Sequence, residues 1–115
     1  MVVHSQSSDN YLDHLFGALA HATRRDILAR VTHTDTSVSE LAARYRMSFA
    51  AVQKHVAVLE HAKLVTKRRD GRMQQVAGNP DAVRRAGQLL QKYEQIWQAR
   101  IDRLDTLLAN SNQGE

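Results

Sequence analysis

The sequence predicts a mainly α-helical fold with one small β-hairpin, and three observations support this prediction. Apolar residues recur at spacings of three and four along most of the chain, the period of helices that bury one face. Two β-type runs, residues 64–68 and 73–77, flank Asp70-Gly71, a dipeptide typical of type I′ hairpin turns. Before the hairpin, a turn of about three residues joins a short helix to a longer one. This order predicts a helix-turn-helix followed by a β-wing.

The first two helices are predicted from their apolar spacing. Residues 1–8 are expected to form a disordered tail, because chain ends are poorly ordered unless they are tied down. Asp9 or Asn10 can cap the first helix, whose apolar residues are Tyr11, Leu12, Leu15, Phe16 and Leu19. The apolar residues of the second helix are Ala22, Ile27, Leu28 and Val31. The segment THTDTS that follows is predicted to be a loop.

Two serines are predicted to begin the next two helices. Ser37 and Glu40 form a capping box, in which the hydroxyl and the carboxylate each satisfy a free N–H group of the third helix. Residues 45–47 make the turn, and Ser48 caps a fourth helix over residues 48–61. The buried stripe of that helix is predicted to be Val52, Val56, Leu59 and Ala62. The hairpin, residues 64–77, follows.

A last helix is predicted from Pro80, which suits a first turn, to about Leu108. Its apolar stripe is Leu89, Tyr93, Ile96, Trp97, Ile101, Leu104 and Leu108. So long a stripe cannot be buried against so small a domain, and a second copy of the chain is the simplest partner. Leu12, Leu15 and Phe16 are expected to assist this homodimer. The folded domain is predicted to span residues 9–109, with long dimerising helices at both ends and a disordered tail over 110–115.

Composition excludes several classes of protein. The 115 residues include no cysteine, which excludes disulfides, thiolate metal sites and cysteine nucleophiles. No apolar run approaches the ~20 residues that span a bilayer, and the N-terminus lacks the apolar core of a signal peptide, so a cytoplasmic protein is expected. There is no glycine-rich phosphate loop and no nucleophile elbow, so no enzyme activity and no cofactor are predicted. Residues 44–85 hold ten Lys/Arg against three Asp/Glu, a concentration that suits an anionic partner.

Three segments form a connected set of motifs, LFGALAHATRRDIL, SELAARYRMSFAAVQKHVAVLEHAKLV and RRDGRMQQV. Together they resemble the ArsR-type winged helix-turn-helix regulators of bacteria over about residues 12–80. The ending YEQIWQARIDRLDTLL is similar to a subgroup whose long final helix carries a Trp. Three positions depart from the family pattern. Ala22 stands where Pro is usual, Lys63 where Gly often ends the recognition helix, and Gln53 where Ser is common.

The resemblance implies a homodimeric, sequence-specific regulator of transcription, most simply a repressor, that binds a near-palindromic site in double-stranded DNA. The predicted DNA-binding residues are Ser48, Phe49, Gln53, Lys54, His55, Lys67, Arg68, Arg69 and Arg72. Gln53 and Lys54 are expected to face outward and read base edges, the alternative being a solvated face. His55 borders the buried stripe and is as compatible with packing there as with DNA contact.

Other candidate contacts also have a second interpretation. The main expected role of Ser48 is to cap the helix, and contact with a phosphate is its secondary role. Phe49 either touches a thymine methyl or folds back on the turn, and the second is favoured. The wing cations repel one another in isolation, and a phosphate backbone or minor groove relieves that repulsion. Arg24 and Arg25 either reach a phosphate or simply cover the surface.

No metal site is predicted. The third helix has no Cys and no His follows His61, so the resemblance is to members without the family's metal-site motifs. His14 and His21 can approach each other at a helix junction, but structural zinc needs four ligands. Tyr93, Trp97 and Leu104 can line a pocket for an unknown small-molecule effector, although a hydrophobic dimer seam is favoured.

A protein-interaction module is the alternative function. In that case the chain is a helical dimer whose basic hairpin binds an acidic protein partner. A regulator should prefer its own site over random DNA by at least ~10³, whereas the alternative predicts only weak, salt-sensitive binding to DNA.

Overall fold

The computed structural model describes residues 6–113, with the side chains of residues 9–112. The chain divides into two compact units, one up to Arg84 and one from Arg85 onward. The elements are α1 (Gln6–Leu19), α2 (Ala22–His33), β1 (Thr36–Ser37), α3 (Val38–Tyr45), α4 (Phe49–His61), β2 (Val65–Asp70), β3 (Met73–Gly78) and α5 (Pro80–Gln113). The predicted fold class, mainly helical with a small β-wing, is confirmed.

The ends of the outer helices differ from the prediction. Helix α1 begins at Gln6, so Asp9 and Asn10 lie inside the helix and do not cap it. Asp9 stands in the first turn, where a carboxylate stabilises the helix N-terminus without capping it. Helix α5 continues beyond Leu108 to Gln113, and no Gly or Pro occurs between these two residues to end it earlier. Parts of both predicted tails are therefore helical, and residues 1–5 and 114–115 lie outside the described residues.

The sheet has one strand more than predicted. It is antiparallel in the order β1-β3-β2, and β1 pairs with β3 through Thr36 opposite Val76 and Ser37 opposite Gln75. This strand lies inside the segment predicted to be a loop. Two residues are too few to show a strand period, so only their pairing with a distant segment reveals them.

The hairpin turn is of a different type from the one predicted. Asp70 is the last residue of β2 and pairs with Met73, which leaves Gly71 and Arg72 as the two central residues. Gly71 has φ of 64°, whereas Arg72 is not among the residues with positive φ. A positive φ at the first central residue alone is typical of a type II′ turn. Gly71 still carries the turn, but one place earlier than a type I′ Asp-Gly turn requires.

One apolar core holds the first unit together. Its largest fully buried side chains are Leu15, Ile27, Leu41, Leu59, Leu64, Val38, Val52, Val56, Val65 and Val76. The predicted stripe of α4 is confirmed, since its three large members and Ala62 are all buried. The structure corrects the prediction that Leu15 assists the homodimer. Its side chain is fully buried in the core of the first unit, so it has no surface with which to contact a second subunit.

Two helices end with a non-glycine residue in the left-handed conformation. Lys63 follows α4 with φ of 64°, and Arg46 follows α3 with φ of 55°. At Lys63 the N–H donates to the Glu60 carbonyl at 2.9 Å, and the Leu64 N–H donates to the Leu59 carbonyl at 3.0 Å. These two bonds form a Schellman motif, which normally places glycine at the left-handed position. Lys63 therefore bears the strain expected from the departure at this position.

We expect Lys63→Gly to raise the free energy of unfolding by about 1 kcal/mol, because glycine adopts positive φ without a Cβ clash. Lys54→Gly is the matched control, since glycine inside right-handed helix α4 costs about 1 kcal/mol. Urea denaturation measures both variants. A destabilising effect of Lys63→Gly would contradict the prediction.

Candidate nucleic-acid interface

Helices α3 and α4 begin at the serines predicted to cap them. The Ser37 hydroxyl accepts from the Glu40 N–H at 3.1 Å, and the Ser48 hydroxyl accepts from the Ala51 N–H at 3.1 Å. The Glu40 carboxylate differs from the prediction, because it accepts a hydrogen bond from the Ser37 hydroxyl itself. The two caps therefore fix where α3 begins, before the turn, and where α4 begins, after it.

A polar cluster fastens α2 to α3. The Tyr45 hydroxyl donates to the Asp26 carboxylate, and Arg30 Nε lies 3.1 Å from that carboxylate and 3.2 Å from the Tyr45 oxygen. The hydrogen bond from Tyr45 holds the pKa of the Asp26 carboxyl below its usual value. Burial, together with the neighbouring carboxylate, raises the pKa of the Tyr45 phenol. The first helix of the pair is thus anchored by side chains as well as by the core.

The exposed face of α4 is narrower than predicted. Lys54 is exposed, and Phe49 is 48% exposed at the start of the helix. Phe49 therefore does not bury itself by folding back on the turn. Gln53 is only half-buried, and its amide Nε2 donates to Oε1 of Gln74 on β3 at 2.8 Å. The sequence did not single out Gln74, although strand alternation from the apolar Val76 could have placed it on the α4 side of the sheet.

His55 faces the start of α2. Its ring centroid lies 4.8 Å from that of His21, whose Nδ1 caps α2 by accepting from the Thr23 N–H at 3.2 Å. Because His21 caps α2, the start of the helix is well defined even though Ala22 stands where the family usually has proline. Partial burial lowers the pKa of His55, and the charges of His21 and Arg24 lower it further. Of the two interpretations for His55, packing is the one that its contacts support.

We expect the protein to lose stability as the pH falls below about 6.5, the ordinary pKa of histidine. Because the pKa of His55 is lowered in the folded chain, the unfolded chain binds the proton first, so protonation favours unfolding between these two pKa values. Above that window His55 is neutral in both states and contributes nothing. Melting temperature measured against pH tests this, with His55→Gln expected to flatten the profile. An equally steep profile for His55→Gln would exclude His55 as the cause.

The two faces of the hairpin carry different cations. Cross-strand pairing sets Lys67 opposite Val76 and Arg69 opposite Gln74, so Lys67 and Arg69 share the face of the buried valine. Arg68 points to the other face. Lys67 Nζ lies 3.4 Å from Glu60, and Arg68 Nη2 lies 3.7 Å from Asp35, two ion pairs that sequence reasoning missed.

The tip of the wing carries the remaining cations. Arg69 Nε donates to the Gly71 carbonyl at 3.4 Å, and Arg72 is exposed at the turn. Arg69 and Arg72 are thus the wing cations without a carboxylate within ion-pair distance in the described part of the chain. Their charge is the part of the wing best suited to an outside anion.

Arg24 and Arg25 have a structural role. Arg24 donates from Nε to the Ala18 carbonyl at 2.7 Å, and Arg25 donates from Nη1 to the Leu19 carbonyl at 2.7 Å. The last carbonyls of a helix have no partner within it and lie at its negative end, so both cations stabilise the end of α1. Of the two interpretations drawn from the sequence, covering the surface fits better than a phosphate contact.

The histidines pair differently from the prediction. His14 meets His61, with ring centroids 4.5 Å apart, and does not meet His21. Across the described residues no group of three or more His, Cys, Asp or Glu side chains is arranged to hold a metal ion. In the same part of the chain, no helix has the length and apolar character needed to cross a membrane.

The second unit presents a long apolar stripe on α5. Members that are more than half exposed are Leu90, Tyr93, Ile96, Trp97, Leu104, Leu107 and Leu108. Leu90 and Leu107 extend the predicted set, while Leu89 and Ile101 are half-buried. Leu90, Trp97 and Leu104 recur every seven residues, the period of helices that pack along each other. On α1, Leu12 and Phe16 are half-buried and keep some free surface.

A helix pair joined by a tight turn, with an antiparallel wing directly after its second helix, defines the winged helix-turn-helix class. Comparison with known proteins agrees. A family described as a helix-turn-helix domain matches residues 19–68. A structure described as a possible transcriptional regulator for arsenical resistance is 35% identical, covering 85% of this chain and 95% of that chain at a TM-score of 0.60. The chain belongs to the ArsR-type winged helix-turn-helix transcriptional regulators, and so to a class of regulators and not of enzymes.

Further relatives fit this family. The HTH-type transcriptional regulator Rv2034 of Mycobacterium tuberculosis is 42% identical over 59 residues, 51% of this chain, and the match spans only 55% of that relative's length. An ArsR-like regulator from Rhodococcus sp. RHA1 is 26% identical, with 88% of this chain and 95% of that chain covered at a TM-score of 0.74. A homodimeric winged helix-turn-helix domain from Mycobacterium bovis shares the fold at 20% identity, with coverage of 82% and 91% and a TM-score of 0.65.

Proposed function

We propose that this chain is a homodimeric, sequence-specific DNA-binding repressor that acts in the cytoplasm on a near-palindromic operator. The observation that carries the proposal is the exposed Lys54 on the second helix of the motif, together with a wing whose tip cations Arg69 and Arg72 have no carboxylate partner among the described residues. In this class the second helix reads the major groove and flanking elements hold the backbone. Two copies related by a two-fold axis would read two half-sites about one helical turn apart.

The exposed stripe on α5 supports the dimer. Apolar residues at a seven-residue period are buried most simply by a second copy of the same helix. The M. bovis domain that shares this fold is also described as a homodimer. In such a hydrophobic seam, the main role of Tyr93, Trp97 and Leu104 is contact between the two subunits. A pocket for a small-molecule effector is the alternative role for the same three residues.

Selection from a random DNA pool, followed by footprinting upstream of the protein's own gene, tests the proposal. The selected duplex should bind at least ~10³ times more tightly than a random duplex of the same length. Transcription in vitro from the footprinted promoter should fall when the protein is added. Equal affinity for both duplexes would reject the regulator and favour the interaction module, whose basic hairpin binds an acidic protein.

The wing cations should contribute affinity without much sequence preference. We expect Arg69→Ala and Arg72→Ala each to shallow the dependence of log affinity on log salt by about one unit, because each removes a phosphate contact. Arg68→Ala is the matched control, because Arg68 pairs with Asp35 on the other face of the hairpin. Salt titrations on the selected and random duplexes measure these slopes. Unchanged slopes for both variants would mean that the wing tip stands clear of DNA.

A further inference from the structure

Gln74 occupies a particular place between the wing and the second helix of the motif. It lies on β3 two residues nearer the tip than Val76, on the same face of the sheet. Val76 is fully buried, so this face is directed at the body of the first unit. Gln75, its neighbour in the strand, lies on the opposite face. Along β3, Gln74 is therefore the first polar residue beyond the buried Val76 on the side of the hairpin that faces α4.

Two polar contacts tie the hairpin to α4 within the described residues. Lys67 reaches Glu60 near the end of α4, at 3.4 Å. Gln74 reaches Gln53 near the start of α4, where Oε1 of Gln74 accepts from Nε2 of Gln53 at 2.8 Å. The start of α4 is the part of the helix that enters the groove in this class. The glutamine pair thus joins the wing to the helix at the end nearest the DNA.

The hydrogen bond also decides how the Gln53 amide is turned. An amide NH2 group has two hydrogens, so Gln53 can donate one to Gln74 and keep the other beside its own Oε1. A neighbouring donor and acceptor are what adenine requires for a bidentate contact through N6 and N7. Without an acceptor at Gln74, the Gln53 amide is free to rotate, and holding it at a base edge costs side-chain entropy.

We infer that Gln74 is a positioning residue for base recognition, which orients the Gln53 amide toward DNA and fixes the wing against the start of α4. The inference rests on the proposed function, because it concerns how the same surface reads its site. Gln74 itself does not contact a base. Its loss should remove sequence preference at the base pair that Gln53 reads, while phosphate contacts and folding are retained.

A double-mutant cycle with methionine, which keeps the length of glutamine but replaces its amide with a thioether that accepts only weakly, tests this inference. We expect Gln74→Met to weaken binding to the selected duplex by roughly 2- to 12-fold, the range of one net hydrogen bond. Binding to a random duplex and the melting temperature should stay unchanged. Gln53→Met should lose preference at the same base pair, and adding Gln74→Met to it should weaken binding no further, because one residue acts through the other.

Gln75→Met is the matched control, since it removes the same side chain from the other face, and it should leave the preference intact. Gln74→Glu should restore the preference, because its carboxylate accepts from Gln53, while lowering affinity for both duplexes through repulsion of phosphate. Two results would overturn this inference but not the proposed function. One is that Gln74→Met leaves the sequence preference unchanged. The other is that Gln74→Met weakens binding as much in the Gln53→Met variant as it does in the wild-type protein. A wild-type protein that does not distinguish the two duplexes would overturn the proposed function and this inference with it.

Discussion

Ile101→Asp combined with Leu104→Asp is expected to convert the proposed dimer into monomers at micromolar concentration. The two substitutions would place four carboxylates across a two-fold seam, where each must lose its hydration and where like charges from the two subunits approach one another. Leu104 is 53% exposed and Ile101 is half-buried, so the change falls on the apolar stripe of α5. Operator affinity should then fall by roughly 10²- to 10⁴-fold, because each half-site is bound alone and avidity is lost. Sedimentation and binding to the selected duplex measure both effects.

Gln91→Asp with Gln95→Asp provides the matched control. Both glutamines are exposed and lie on the opposite side of α5 from the apolar stripe, so the same charge is added away from the seam. This variant should remain a dimer and keep most of its operator affinity. A wild-type protein that sediments as a monomer, or a seam variant that stays dimeric, would refute the α5 interface.

Lys54→Ala is expected to reduce the preference for the operator over random DNA by roughly 5- to 150-fold, which corresponds to the ~1–3 kcal/mol of one good base contact. Lys54 is the charged residue on the free face of α4 that no ion pair engages within the described chain. If Lys54 contacted a phosphate instead of a base, the substitution would weaken binding to every sequence alike. Competition between the selected duplex and a random duplex separates these results.

Lys92→Ala is the control for Lys54→Ala. Lys92 is an exposed lysine of the second unit and belongs neither to the helix pair nor to the wing, so its loss should change neither affinity. Full retention of operator preference by Lys54→Ala would move the reading face elsewhere on α4. Phe49, which is exposed at the start of that helix, would then be the next residue to substitute.

Local signals in the sequence were sufficient for the fold class and the order of its helices. Ser37 and Ser48 were identifiable as caps because each bonds an N–H group three residues away. Gly71 marked the hairpin, although the type of turn depended on which residues the strand pairing left in the centre. Lys63 was identified as standing where glycine often ends the recognition helix, and the structure shows it in the left-handed conformation that favours glycine.

The candidate site was only partly predictable. The sequence placed Lys54 on a free face, and the structure agrees, but it treated Gln53 as equally free and His55 as undecided. Gln53 bonds to Gln74 across the sheet, and His55 meets His21 at the start of α2. Both partners lie more than twenty residues away along the chain, beyond the reach of helix or strand periodicity.

What the sequence by itself determined is the set of contacts that close within about one helical turn, namely caps, apolar stripes and the hairpin. The tertiary structure decided which elements meet, and with them the partners of Lys67, Arg68 and Arg24 and the pairing of β1 with β3. The physical reason is that a local hydrogen bond depends on spacing alone. A contact between elements depends on how the whole core packs, and no single segment carries that information.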